Sequence, residues 1–287
     1  MELNVVASAR TACTAAMLLL PCSLLAQQPA APSPVSSLPA LIDEAVTYQL
    51  RDMRHEDSAV RYKVHRVDGK EDTLRDLIET KNGNVARTLQ RNGARLTAEE
   101  DALEQRRLRD LTPDELERRR KREETSERYG AELVTAMPRA MIYTFTPDQP
   151  QLLQYTVPQT VLDYAPDPAF QPATTAQTLL AGLTGRIWLD KSTHHLLRLE
   201  VHITKNLNLA FGLLARVYQG GSMVYEQVPL GNGYDAYRHL EINVTMRELM
   251  VKTVPYHSTF DATDLHLLPS VPSLHDAVEA LLAGAAR

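Results

Sequence analysis

Between residues 185 and 254, apolar and polar side chains alternate with period two, interrupted only by short turns rich in glycine or small polar residues. That period belongs to a strand buried on one face and wet on the other. Ile187 and Leu189 point one way. After Lys191-Ser192-Thr193 the alternation resumes, with Leu197, Leu199, Val201 and Ile203 on one face and Arg198, Glu200, His202 and Thr204 on the other. A third strand is predicted over 209–218, turning at Gly220-Gly221, where glycine supplies the positive φ of a tight hairpin. A fourth, over 223–230, turns at Gly231-Asn232-Gly233. The fifth sets Leu240, Ile242 and Val244 against His239, Glu241 and Asn243, and the sixth carries Leu249, Val251 and Thr253. Six strands folded back in order make an antiparallel meander with one apolar face.

The first half of the chain supplies more strands and the helices. Leu38, Ile42, Ala45, Val46 and Met53 have helical spacing and predict a helix over 37–53. Three strands follow, led by Val60, Leu74 and Val85, with turns at Asp68-Gly69, Asn82-Gly83 and Asn92-Gly93. Asn82-Gly83 reads as a two-residue hairpin. Residues 97–137 differ. Thr97 with Glu100, and Thr112 with Glu115, have capping-box spacing, and Pro113 suits a first helical position, so helices are expected over 98–110 and 113–137. The second has no apolar residue between Leu116 and Tyr129 and must stand largely in solvent. Its run Arg118-Arg119-Arg120-Lys121-Arg122 wraps around the axis among five glutamates, which reads as a solvated face and not an anion site.

Strands are then expected over 141–146 and 152–157, a proline-rich loop over 158–172 and a short helix over 174–183. Beyond 254, an edge strand over 256–268 precedes a Ser273-capped amphipathic helix. The expected fold is mainly β in the α+β class, with eleven antiparallel strands.

The N-terminus reads as an address. Arg10 precedes an apolar stretch, and Ala26 closes it before Gln27-Gln28, the pattern of a secretory signal peptide over 1–26. A lipidated Cys22 needs a small residue before it, and Pro21 stands there. Cleavage after Ala26 removes Cys13 and Cys22, leaving no thiol chemistry. Residues 27–36 are rich in Pro, Ala, Gln and Ser and read as an unfolded linker. The chain's formal charge of −5 gives no long-range attraction to nucleic acid, and no later run reaches membrane-spanning length. A periplasmic protein that does not span the membrane is expected.

No reaction chemistry is announced. His202 with Glu200, and His239 with Glu241, are strand pairs without an evident third metal ligand, and His194-His195 sits at a hairpin. His-Glu-x-x-His is absent, and Ser222 lacks the Gly-x-Ser-x-Gly elbow. The reading is non-enzymatic, with no catalytic residue, metal or cofactor.

The stretches Gly182-Leu183-Thr184-Gly185-Arg186-Ile187-Trp188-Leu189-Asp190, Phe211-Gly212-Leu213-Leu214-Ala215 and Tyr218-Gln219-Gly220-Gly221, with Lys252, resemble the periplasmic lipoprotein-carrier superfamily, the outer membrane lipoprotein-sorting type. The resemblance covers roughly 38–268 and implies an open half-barrel whose apolar concave side is covered by helices and accepts acyl chains. It frames 37–268 as the carrier-like domain, 97–137 as a helical insertion and 269–287 as a C-terminal tail and helix. The groove it implies would be lined by Ile187, Leu189, Leu197, Leu199, Val201, Ile203, Leu240, Ile242 and Val244. The expected ligand is a lipid or the acyl chains of a lipoprotein. The alternative is an envelope interaction or sensor module that uses 97–137 as its contact surface for a protein partner.

Overall fold

The computed structural model describes residues 37–53, 58–69, 71–209, 215–231, 233–248 and 252–284. The predicted leader and linker lie outside the described residues. In chain order the elements are α1 (Leu38–Asp52), β1 (Val60–Asp68), β2 (Asp72–Ile78), β3 (Val85–Arg91), β4 (Ala94–Arg95), α2 (Ala98–Arg109), α3 (Pro113–Ala140), β5 (Met141–Phe145) and β6 (Gln159–Pro166). There follow α4 (Thr175–Thr178) with a 3-10 turn (Leu179–Gly182), β7 (Leu183–Asp190), β8 (Leu196–Ile203), β9 (Leu207–Leu209), β10 (Ala215–Val217), β11 (Ser222–Gly231), β12 (Tyr234–Glu248), β13 (Lys252–Leu267) and α5 (Leu274–Ala283).

Among the described residues thirteen strands form one antiparallel sheet. Its path is β4-β3-β2-β1-β13-β12-β11-β8-β7-β6-β5, with β10 pairing β12 and β9 pairing β10. The path ends on β4 and β5, so the sheet does not close into a barrel. Register shifts interrupt the ladders β1–β13, β2–β3, β7–β8 and β11–β12. Each bulge adds local bend and twist, and together they curve the open sheet.

Three expectations about the strands are corrected. The predicted strand over 152–157 is a loop, and β6 occupies part of the stretch expected to be a loop. Its flanking prolines, Pro158 and Pro166, sit at the strand's ends, where a missing N–H is tolerated. Beyond the end of β5, glutamine side chains take a neighbouring strand's place. Gln149 accepts from Val161 N at 2.9 Å and donates to its carbonyl at 2.8 Å, while Gln151 pairs both ways with the Gln159 backbone. Of the single strand expected over 209–218, 210–214 lie outside the described residues; Leu209 ends β9, and β10 folds back to pair antiparallel with it. The edge strand expected over 256–268 is part of β13, which lies in the sheet's middle between β12 and β1. Pro255 does not interrupt it, because β1 pairs no further than Ser258 and Pro255 lies outside that ladder.

Turn chemistry is also redistributed. Asn92 and Gly93 both have positive φ, 50° and 74°, and make the two-residue primed turn between β3 and β4. Gly83 instead lies in a longer β2–β3 connection under the first turn of α3, where an added Cβ would meet Arg120 Cβ at 3.5 Å. Both predicted capping boxes form, with Glu100 accepting from Thr97 N at 2.8 Å and Glu115 from Thr112 N at 3.2 Å.

The helices cover both faces. Leu108, Leu111 and Leu116 pack with Ile78, Val85 and the α5 residues Ala277, Val278 and Leu281. A second core joins Leu41, Ile42 and Ala45 of α1 and Ala136 and Ala140 of α3 to Leu162, Tyr164, Ile187 and Leu189 of the sheet. The 28 residues of α3 reach roughly 42 Å at 1.5 Å per residue, long enough to run from the Gly83 turn across the sheet. Along its polar span Arg120 pairs with Glu124, and Lys121 with Glu117, each at 2.9 Å and half-exposed, as a solvated helix face requires.

Candidate functional site

α1 and α3 lie side by side over the sheet but do not fill the space beneath them. Between them and β5, β7, β8, β11 and β12 is a cavity of about 620 Å³. Its roof is Ile42, Ala45, Val46, Gln49 and Met53 of α1 with Gly130, Val134 and Met137 of α3. The floor is Tyr143, Ile187, Leu189, Leu196, Leu199, Met223, Tyr225 and Leu240. The roof follows from helical spacing: positions 42, 45, 46, 49 and 53 share one face. The floor follows from strand pairing, since Leu199 stands opposite both Ile187 and Tyr225, and Tyr225 opposite Leu240.

Polar groups on this lining are few. The Tyr143 hydroxyl is occupied, donating to the Met137 carbonyl at 3.2 Å. Gln49 Oε1 is buried without a hydrogen-bond partner. The Tyr225 hydroxyl is pushed up to about 12 by burial, with the Gln49 amide beside it opposing and the Asp52 and Asp235 carboxylates adding to the rise.

Of the nine residues expected to line the groove, Ile187, Leu189, Leu199 and Leu240 face this cavity. Val201 is buried on the same side of its strand, beyond the cavity wall. Ile203, Ile242 and Val244 pack with Leu179, Leu207 and Val217 in a cluster that also takes in Tyr129 and Leu133 of α3. Val244 is buried there, and Ile203 and Ile242 are partly buried. Leu197 is a correction: it faces the other way, packing with Val161 and Trp188. The cause is the bulge that pairs Trp188 with Arg198 but Leu189 with Leu196. One extra residue shifts the alternation, so Leu196 enters the cavity and Leu197 leaves it. Trp188 is likewise on that opposite face, donating to the Pro150 carbonyl at 2.9 Å and lying under the Arg186 and Arg198 guanidiniums at 5.7 Å.

The outer edge of α1 is fastened to two turns of the sheet. Asp190 accepts from Ser192 N and Thr193 N at 2.7 and 3.0 Å, fixing the β7–β8 turn that presents His194 and His195. His194 Nδ1 meets Glu44 at 3.0 Å, Tyr48 donates to Glu44 at 2.9 Å, and the Tyr48 and His195 rings lie 4.4 Å apart. His195 Nδ1 also bonds Asp235, at the start of β12, and Arg51 donates to the Gly233 carbonyl. Burial alone would raise the Glu44 carboxyl, but the Tyr48 and His194 bonds outweigh it and hold it below the usual range.

Asp52, His195 and Asp235 each offer a ligand atom within 4.8 Å of the others. This is the metal-capable grouping that strand-pair spacing did not reveal, because its members come from three separate elements. As placed, His195 bonds Asp235, and Asp52 pairs with the Arg51 guanidinium at 2.9 Å. Elsewhere His202 is exposed, and Asp261, which stands opposite both His65 and His239, pairs with His239 at 2.6 Å.

Asp52 and Asp235 are only 5% and 6% exposed. Burial raises the Asp52 carboxyl, the Arg51 hydrogen bond opposes the rise, the Asp235 charge adds to it, and the net shift is upward. A carboxyl raised by folding binds its proton more tightly in the native state. Ionised Asp52 therefore costs stability, a cost absent below the unfolded value of about 3.8 and fully present above the folded one. Asp52→Asn should raise Tm at pH 8 by about 2–4 °C, the equivalent of roughly 1 kcal/mol in a chain this size. The gain should vanish by about pH 3, where Asp52 is protonated in both states, and melting curves across that range check it.

No family model matches the sequence, and no curated protein does. Among solved structures, a DUF1329 family protein from Desulfovibrio piger is similar at 10% identity and a TM-score of 0.29, covering 84% of this chain and 98% of its own.

Proposed function

We propose that this chain is an exported, non-enzymatic binding protein of the bacterial envelope that shelters a lipid acyl chain between its curved sheet and the helices α1 and α3. The observation that carries the reading is the cavity itself. A space of about 620 Å³ lined by Ile, Leu, Val and Met is left open where those side chains had every physical reason to pack it shut. Filling it with an acyl chain recovers about 0.8 kcal/mol for each methylene taken from water, and needs no specific polar contact. The lipoprotein-carrier resemblance of residues 182–190 and 218–221 points to the same use.

The space of about 620 Å³ is ample for one long acyl chain. The test is titration with a neutral fluorescent fatty probe whose emission rises in apolar surroundings. Saturable uptake at one probe per chain is the expected result. An absence of uptake at micromolar protein would overturn the reading.

A further inference from the structure

We propose that Asp52, His195 and Asp235 form a binding site for a divalent transition-metal ion of the zinc class, which clasps the roof helix α1 to the sheet. None of the three belongs to the cavity lining, so the site stands whether or not a lipid fills the cavity.

Asp52 is the last residue of α1, His195 directly precedes β8, and Asp235 is the second residue of β12. Three separate elements thus bring one ligand atom each to within 4.8 Å of the others. Tetrahedral zinc, at about 2.0–2.1 Å from its nitrogen and oxygen ligands, sets them about 3.3 Å apart, a contraction within the reach of side-chain rotation. One imidazole with two carboxylates suits zinc and its first-row neighbours. Calcium takes roughly six to eight oxygens and magnesium keeps several waters, so three buried groups, one a nitrogen, match neither. His195 Nδ1 already faces Asp235. The ion takes the place of the proton between them, and the neutral ring carries its one proton on Nε2.

Burial and charge separate this trio from a chance surface cluster. Asp52 and Asp235 are 5% and 6% exposed, and the His195 side chain is 12% exposed. Acidic groups gather harmlessly at a surface because water screens them, whereas two carboxylates drawn out of water repel strongly. The guanidinium of Arg51 bonds Asp52 but stands half-exposed, and Asp235 leans on the imidazole. A dication answers both carboxylates at once. Backbone adds to its attraction: Asp52 closes the 15-residue α1, where the helix dipole presents its negative end. The Tyr48 ring, 4.4 Å from that of His195, restrains the imidazole, as groups around a metal ligand commonly do. Bound there, the ion ties the C-terminal end of the roof helix to the β7–β8 turn and to the start of β12.

The experiment uses the full chain, stripped with EDTA and returned to chelator-free buffer at neutral pH. Zn²⁺ is titrated calorimetrically, and Co²⁺ is followed by its visible absorption, which is intense under tetrahedral ligands. One Zn²⁺ per chain should bind, and at a free concentration about one hundred times Kd it should raise Tm by about 5–10 °C. Asp235→Asn and Asp52→Asn keep the side chain's size and remove a carboxylate ligand, and each should weaken Zn²⁺ binding by about 100-fold or more. Asp52→Asn decides the matter where Asp235→Asn does not fold, since the metal-free chain is expected to gain stability from it. His65→Ala and His239→Ala, which alter the histidines flanking Asp261, should leave the affinity unchanged. No binding at sub-millimolar Zn²⁺, or binding that survives both aspartate substitutions, overturns the site. Loss of binding on His65→Ala or His239→Ala overturns it equally, by placing the ion on that other group. Uptake of a fatty probe by the metal-free chain keeps the cavity reading in place whatever Zn²⁺ does.

Discussion

Leu199→Trp should abolish acyl uptake while leaving the fold in place. Leu199 is central to the cavity floor, with Ile187 on one side and Tyr225 on the other, both also floor residues. An indole there projects into open volume instead of packed core. The usual overpacking cost of about 1–3 kcal/mol should therefore be largely avoided, and Tm should stay within a few degrees of the native value. Each methylene shut out forfeits about 0.8 kcal/mol, so excluding only three weakens binding by about 50-fold. Probe titration and a melting curve on the same sample separate the two effects. If Leu199→Trp binds the probe as tightly as the native chain, the ligand lies elsewhere.

The second large effect lies where the sequence pattern is densest. Gly185 pairs with Tyr164 on β6 and Val201 on β8. A Cβ built on Gly185 would stand 1.8 Å from the Glu200 carbonyl oxygen and 2.7 Å from the Tyr164 hydroxyl. That hydroxyl donates to the same carbonyl at 2.9 Å, so the tyrosine lies across the bare backbone and occupies the room a side chain would need. Backbone cannot swing aside as a flexible side chain can, and Gly185→Ala must part β7 from β8 or expel Tyr164 from the core. A loss of about 3 kcal/mol or more is expected. Tyr164→Phe, which keeps the ring and removes only the hydrogen bond, should lose about 1 kcal/mol. Urea unfolding of the two variants checks the difference; equal stability of Gly185→Ala and the native chain would mean that the close approach does not exist.

The two examples also show what a linear reading can see. Alternation of small apolar and charged residues located most of the meander, because face selection in a strand is a local property. Capping boxes located α2 and α3 to within a few residues for the same reason. Alternation could not locate the bulge at Leu197: a strand with one inserted residue has nearly the composition of a strand without it, and only the partner's register reveals the shift. β6 was hidden by its prolines, whose harmlessness depends on their lying at the strand's ends. Gln149, a loop residue by every local sign, replaces a strand through its side chain. In the alternation alone the cavity is legible only as a face; the groove is what the carrier resemblance implies. Which residues of that face stay uncovered depends on where α1 and α3 pass over it, and Ile203, Ile242 and Val244 became core because the 3-10 turn, β9 and β10 close over them. The fastening of α1 by Glu44, Tyr48 and Arg51 to His194, His195 and the Gly233 carbonyl joins positions far apart along the chain, beyond the reach of any motif.

The roof helix carries cavity residues at 42, 45, 46, 49 and 53 and anchoring residues at 44, 48 and 51, so one element both walls the cavity and is tied to the sheet.

The most direct measurement is native mass spectrometry of the full-length protein, purified without detergent from the envelope in which it is made. The account predicts a population carrying one added mass, the size of a single-chain lipid, that gentle collisional activation removes. A bare polypeptide mass in every charge state, together with no uptake of an added neutral fatty probe, would contradict it.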